Sequence, residues 1–378
     1  MTERERVHAA LEGRPVDRTP VTSLYNMLYY QDHFSKLTGR PQWEQWRWRY
    51  ADSEEHLATY VKLIRQAPFE ILQPQHAPSR DEREHTEIIE RDGEYFLHNT
   101  RHDTLTPIRT RSGHTTDYSY NETQHVSDRA DIAEKIAITS AEDMLATGCM
   151  DYVEATVAAL GEDHFIMPGG VAGAFWCSHF WVGLTNLLEM AVEKPDLVDT
   201  LNRRMLEQNI EHLRLFAAAG GDAIYVDDAL ATSDMISVAH YERFCLPYMV
   251  EMVREIHRLG KKAIIIYYGG VSDRLEQIAS IGADGFSMET TMKSYVNDIE
   301  EIAGRIGDRV TLFGNVDPVN ILQRGTDAQL QTEVRRQARA ASRARGFIMC
   351  TGSPITPSTP LGRVRRFIEL GSASRPRS

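Results

Sequence analysis

Residues 220–285 read GGDAIYVDDALATSDMISVAHYERFCLPYMVEMVREIHRLGKKAIIIYYGGVSDRLEQIASIGADG. A short apolar run, Ala223 to Val226, breaks at two acids, Asp227 and Asp228. A long helical pattern follows, and a second apolar run, Ala263 to Ile266, breaks at Tyr267 and Tyr268. This spacing predicts a strand, a crossover helix and a second strand. Parallel neighbours require such a crossover. The second run is apolar at every position because a parallel strand covered by helices is buried on both faces. Polar side chains then collect at the strand ends, where parallel barrels carry their chemistry. Asp227, Asp228, Tyr267 and Tyr268 are therefore the first catalytic candidates, the alternative for the acids being a helix cap or a solvated turn.

Working outward, composition bounds the rest. The chain has 378 residues, 42% of them hydrophobic and 25% charged, enough for one large barrel with additional segments. No low-complexity linker interrupts it, so a single domain over residues 1–378 is expected. The net charge is −12 and the basic residues are dispersed until the final helix, which argues against a nucleic-acid partner. Four cysteines without a C-x-x-C pair suggest neither a disulfide framework nor a zinc knuckle. The N-terminus is charged and no apolar run reaches membrane length, so a cytoplasmic location without membrane contact is expected.

Thr2 to Leu11 has the pattern of a capped amphipathic helix, with Glu5 three residues after Thr2, inside an N-terminal extension over residues 1–20. Leu24 to Tyr30, containing Tyr25 and Tyr29, is unusually aromatic, and Trp43, Trp46 and Trp48 follow. These rings either line an apolar pocket or pack a lid on the barrel rim. Phe69 to Gln75 reads as an early strand whose end offers Gln73, Gln75 and His76. Residues 86–123 change to short alternations with turns at Asp92-Gly93 and Ser112-Gly113, predicting an inserted β-meander. Its histidines, His98, His102 and His114, and the following His125, have no metal-ligand spacing and are expected at the surface.

Helical pattern returns at Ser140. His164 to Pro168 reads as a strand opening into Gly169, Gly170 and Gly173, where close backbone approach at a pocket floor is expected. Trp176 and His179 then offer pocket groups or core packing. Three further strands end at Glu289, at Asn315 with Asp317, and at Cys350. The recurring strand–helix beat, with no dinucleotide-type G-x-G-x-x-G, predicts a closed (β/α)8 TIM barrel with an N-terminal helical extension and an inserted β-meander.

The opening TERERVHAALEGRPVDRTPV, the block from Gly220 to Lys262, LFGNVDPVNIL (312–322) and PITPSTPLGRV (354–364) resemble the uroporphyrinogen decarboxylase superfamily. That resemblance implies either cofactor-independent decarboxylation or methyl transfer to or from cobalamin. Decarboxylases of the family carry an arginine pair after the opening Pro-Val turn. The corresponding SLYNMLYYQDHF (23–34) has none, Glu70 and the QPQH run stand near the expected early acid, and Ser353 stands near the late histidine position. Zinc methyltransferases present His-x-Cys-Gly where this chain has Ile266, Tyr267, Tyr268 and Gly269, with Cys350 near a third ligand position, so no tightly bound zinc is expected.

The leading reading is a corrinoid-linked methyltransferase or O-demethylase component acting on a small aromatic methyl donor. Tyr268 and Asp228 would form its acid–base pair, with Tyr267, Asp227 and Glu289 as further catalytic candidates. Gln73, Gln75, His76, Tyr25, Tyr29, Trp176, His179, Asn315, Asp317 and Cys350 would line the substrate site. No D-x-H-x-x-G motif occurs, so cobalamin would be carried by a separate corrinoid protein; a homodimer is also among the expectations. A decarboxylase of another acid, or a binding protein on the same barrel, are the alternatives.

Overall fold

The computed structural model describes residues 1–108, 125–292 and 294–374. The strands, in chain order, are β1 (Ile71–Leu72), β2 (Thr86–Arg91), β3 (Glu94–Asn99), β4 (Thr104–Pro107), β5 (Phe165–Ile166), β6 (Gly170–Ala172), β7 (Ala223–Asp228), β8 (Lys262–Tyr267), β9 (Gly285–Met288), β10 (Thr311–Phe313) and β11 (Phe347–Ile348). β6 to β11 pair in sequence as one parallel sheet, and β1 pairs in parallel with β5. The ring closes through backbone bonds: Asp222 N–H donates to the Ile166 carbonyl (2.8 Å), Glu70 N–H to Val21 (3.0 Å), and Val21 bridges Met349 in parallel. The result is a closed (β/α)8 barrel in which the Val21 segment is the first stave and β5 with β6 the third.

Two apolar layers hold it. Ala223, Ile264, Ile266, Phe165, Phe313 and Ile348 fill the interior, while Ile224, Val226, Ala263 and Ile265 pack outward in the larger cluster with the helices. Each large side chain so buried contributes about 1.5–3 kcal/mol. The crossover expected as one helix is two, Val238–Phe244 and Leu246–Arg258, separated at Cys245. Pro247 explains the break: lacking an N–H, it is tolerated in a first turn but not in a helix interior.

The N-terminal helix Glu3–Leu11 carries the expected capping box of Thr2 and Glu5. It plugs the bottom of the barrel: Val7, Ala10 and Leu11 join the interior cluster, and Thr311 Oγ1 donates to the Ala10 carbonyl (2.8 Å). Glu70 lies at this lower end too, bound by Arg6 (2.7 Å) and Arg18 (2.5 Å). Its place at the start of β1 makes it part of the closure of the barrel bottom, away from the strand ends where the early acid was expected.

β2, β3 and β4 form the antiparallel meander, and its turn stands at Asp92 and Gly93, both at positive φ. The remainder of the predicted insertion, with Ser112-Gly113 and His114, lies outside the described residues. His98 bonds the exposed Asp103 (2.9 Å), and His102 and His125 are exposed. Two of the tryptophans serve packing: Trp48 is buried between Phe34 and His56, and Trp43 stacks on Tyr95 of the meander at 4.1 Å.

Candidate functional site

Side chains alternate across a strand, so the adjacent acids ending β7 face opposite ways. Asp227 continues the inward row of Ala223 and Tyr225. Asp228 continues the outward row of Ile224 and Val226. On β8, Ile264, Ile266 and the following Tyr268 face inward, and Tyr267 faces outward.

The inward set forms a cluster. Tyr25 donates its phenol hydrogen to Asp227. Its ring meets Tyr225 edge-on at 5.5 Å and lies tilted to Tyr268 at 6.1 Å. Tyr25 stands in the left-handed region (φ 58°, ψ 36°), a strained conformation for an aromatic residue. Burial raises the Asp227 carboxyl from its ordinary 3.8 up to about 7; the Tyr25 hydrogen bond opposes this and the Asp228 charge adds to it. Burial likewise raises the Tyr25 and Tyr268 phenols, and the neighbouring Asp227 charge adds to the effect.

Above this cluster opens a cavity of about 510 Å³. One wall is Tyr25, Leu28 and Asp32; another is Trp176, Asp227, Ala229 and Tyr268; the third is Pro354 to Pro357. Larger grooves of about 730 and 780 Å³ lie between Arg335, Arg339 and Arg343 and beside the N-terminal helix, with no strand end in either. The smaller cavity is the candidate site because strand ends, rings and a perturbed carboxyl converge there.

Several expected residues sit elsewhere. Asp228 is fully buried outside the barrel, where Oδ1 accepts from Leu230 N–H (2.8 Å) and Ala231 N–H (2.9 Å) and shapes the loop after β7. Burial brings it to about 6, with both hydrogen bonds opposing the rise. Tyr267 is fully buried in the helix layer, 2.9 Å from the Tyr241 hydroxyl and edge-on to Phe286. Glu289 does not line the cavity; it accepts from Tyr295 (2.5 Å) and Ser353 (2.9 Å) and ties the loops after β9 and β11 together.

The other expected substrate groups do not line the cavity, and most are engaged by the fold, although Gln73 Nε2 and Gln75 Oε1 are buried without a hydrogen-bond partner. Gln73 is buried and accepts from Asn26 N–H (3.3 Å), and Gln75 is also buried. His76 is held by the Pro168 carbonyl (2.8 Å) and Phe216. Tyr29 stacks on His33 in the core, and His179 turns back to the Trp176 carbonyl. Asn315 bridges Asn297, Glu289 and Gln337, and Asp317 caps the turn that starts at Pro318. Cys350 is wholly buried in the barrel interior, where burial pushes its thiol up to about 12. Of the expected set, Tyr25, Trp176, Asp227 and Tyr268 reach the cavity.

Leu28, Asp32 and the segment Pro354–Pro357 were not anticipated. Tyr25, Leu28 and Asp32 recur at helical spacing, a signal present in the sequence. The close backbone approach expected at the glycines is present, though none of them lines the cavity: a Cβ on Gly173 would stand 1.9 Å from Asp228 Oδ2, and one on Gly170 would enter the Tyr225 ring. Among the described residues, no three His, Cys, Asp or Glu side chains are grouped to hold a metal ion, and no helix is long and apolar enough to cross a membrane.

Comparison with known proteins agrees with this architecture. The uroporphyrinogen decarboxylase (URO-D) family model matches residues 111–373. The uroporphyrinogen decarboxylase of Coxiella burnetii (strain Dugway 5J108-111) is 27% identical over 231 residues, 58% of this chain and 60% of that protein. The Tolumonas auensis enzyme is 29% identical over 188 residues, 49% and 50% of the two chains. The chain thus spans about half to three-fifths of the length of these curated relatives. A methyltransferase from Methanosarcina mazei superposes over 98% of both chains with a TM-score of 0.69 at 20% identity, a likeness of fold. With the family model covering most of its length and the barrel closed as described, the chain belongs to the uroporphyrinogen decarboxylase (URO-D) family.

Proposed function

We propose that this chain is the substrate-binding methyltransferase component of a corrinoid-linked O-demethylase, acting on a small aromatic methyl donor. Asp227, Tyr25 and Tyr268 govern the proton at the leaving oxygen, with Asp227 in the place expected for Asp228. The observation that carries the reading is the Asp227 carboxyl, buried among tyrosine rings and raised to about 7. Such a group holds a proton near neutral pH beside a cavity large enough for a small organic ligand. When the methyl–oxygen bond breaks, the methyl group passes to the acceptor and the phenolate oxygen takes a proton. A positioned acid contributes about 10²–10⁴-fold to such a step.

The cavity of about 510 Å³ is in the range that takes a small organic ligand, and the chain lacks a D-x-H-x-x-G motif to hold a corrinoid. A separate protein would carry it, and the work of this chain is to hold the donor and manage the proton. Decarboxylation is the second reading, favoured by the curated relatives, which are uroporphyrinogen decarboxylases. Against it stands a cavity wall with no Lys, Arg or His among the described lining residues to receive a substrate carboxylate.

The test is anaerobic incubation of the purified chain with methoxyarenes and free cob(I)alamin. Formation of methylcobalamin together with the free phenol supports the reading. Release of carbon dioxide from aromatic acids without methyl transfer establishes the second reading instead, and neither product under saturating conditions leaves a binding protein.

A further inference from the structure

Between Val334 and Ile368 the sequence holds eight arginines and no Asp, Glu or Lys, in a chain whose net charge is −12. Five of the eight are engaged: Arg336 pairs with Glu333 and Asp298, Arg363 and Arg366 share Asp327, Arg365 bonds Gln66, and Arg345 donates to the Leu11 carbonyl. The guanidinium groups of the other three, Arg335, Arg339 and Arg343, have no hydrogen bond or ion pair among the described residues. All three residues are exposed and line one groove of about 730 Å³. Arg335 and Arg339 stand about one turn apart on the helix Asp327–Ala340, and Arg343 ends the 3₁₀ turn that follows it. A helix dipole favours a cation in the last turn, which accounts for Arg339 alone. The other polar residues of the groove are Ser342, Ser374 and Glu300, so three guanidinium groups stand against a single carboxylate.

We propose that this groove is a second ligand site, taking a small anion that carries several phosphate groups. Its volume is in the range of sites for small molecules. One arginine fork fills a carboxylate, whereas a phosphate offers further oxygens to a second and third fork, so three arginines gathered in one groove match a phosphate chain. The site is separate from the cavity among the tyrosines. The helix Asp327–Ala340 leads through Arg345 to the start of β11, and Arg345 bonds the N-terminal helix that plugs the barrel bottom, so the groove lies toward the end opposite the strand ends. Binding here is therefore independent of which reaction the cavity carries out.

The test is calorimetric titration of the full chain with inorganic tripolyphosphate at low salt. Three charge-assisted contacts worth about tenfold each give an expected Kd of about 1 mM or tighter at one site per chain. Arg335→Gln, Arg339→Gln and Arg343→Gln should each weaken binding by about tenfold; being exposed and unpaired, these residues can be replaced without loss of the fold. Arg254→Gln, an exposed arginine on another helix, should leave the affinity within about twofold and so distinguishes a site from general attraction to arginine. Orthophosphate should bind at least about tenfold more weakly than tripolyphosphate, since it spans fewer forks. Absence of binding, equal loss in the Arg254 variant, or no loss in any of the three groove variants overturns the proposal. Tighter binding of citrate through the same arginines replaces phosphate by carboxylate and overturns it as well, and tighter binding of a hexaglutamate peptide makes the groove a protein-docking surface instead.

Discussion

Replacing Asp227 by asparagine tests the electrostatics of the site without disturbing its shape. The native carboxyl is raised from 3.8 to about 7, first by burial and then by Asp228. The groups facing it are Tyr25, Tyr225 and Tyr268, with Asp228 across the strand. A carboxyl with a higher pKa in the native state binds more protons there than in the unfolded chain. Stability therefore carries its full contribution below pH about 4 and loses it as pH rises to about 7. The loss attributable to Asp227 is at most about 4 kcal/mol, equivalent to about 5 °C in Tm for a chain of this length. Asparagine keeps an acceptor for the Tyr25 hydroxyl and does not titrate. Thermal melts of wild type and Asp227→Asn at pH 5 and pH 8 should show a smaller fall in the variant, which becomes the more stable of the two at the higher pH. A slope from Asp228, raised to about 6, remains in both. Identical pH slopes in the two proteins would refute a buried, protonated Asp227.

Tyr268→Phe should lower methyl transfer by about 10²-fold while leaving Tm nearly unchanged, because the ring stays and only the hydroxyl at the cavity is lost; full activity in this variant would remove Tyr268 from the chemistry. Tyr267→Phe should do the opposite, costing about 0.5–1.5 kcal/mol by breaking its bond to Tyr241 and leaving kcat within about twofold, as measured by denaturant melts and the same assay. Gly173→Ala should destabilise by about 1–3 kcal/mol, since its Cβ would collide with Asp228 Oδ2, and a variant as stable as wild type would contradict the close approach. Metal analysis after dialysis against a weak chelator should find less than one equivalent of zinc; a full equivalent, lost on changing Glu289 or Cys350, would show a site that the described residues do not reveal.

The barrel was legible because β7 and β8 are apolar on both faces, as a parallel sheet enclosed by helices requires and a sheet with one wet face does not. That same property concealed which face points inward. With Ile264, Ile265 and Ile266 all apolar, nothing local separates Tyr267 from Tyr268 or Asp227 from Asp228; the closure of the ring decides it. Alternation alone shows that residues such as Asp228 and Tyr268 need a known register before they are paired. The polar groups at other strand ends misled for a different reason. Asn315 and Asp317 have the chemistry of a binding site, but neighbouring carbonyls and a turn's first N–H groups use them, and those partners lie in loops with no sequence periodicity. Tyr25 was found through the aromatic run around it, whereas Asp32 was missed because a single acid at helical spacing resembles any solvated face.

The left-handed backbone of Tyr25 makes the cavity wall adjustable at one point. Holding an aromatic residue at φ 58° costs about 1–2 kcal/mol, a cost glycine would not incur. Tyr25→Gly would thus relieve strain while removing both a ring and the partner of Asp227, enlarging the cavity without asking the backbone to move. The positions beside it offer no such freedom, since Leu28 and Asp32 lie in regular helix. For an engineer seeking room for a bulkier ring, or for natural drift toward one, Tyr25 is the residue where enlargement carries the smallest conformational penalty.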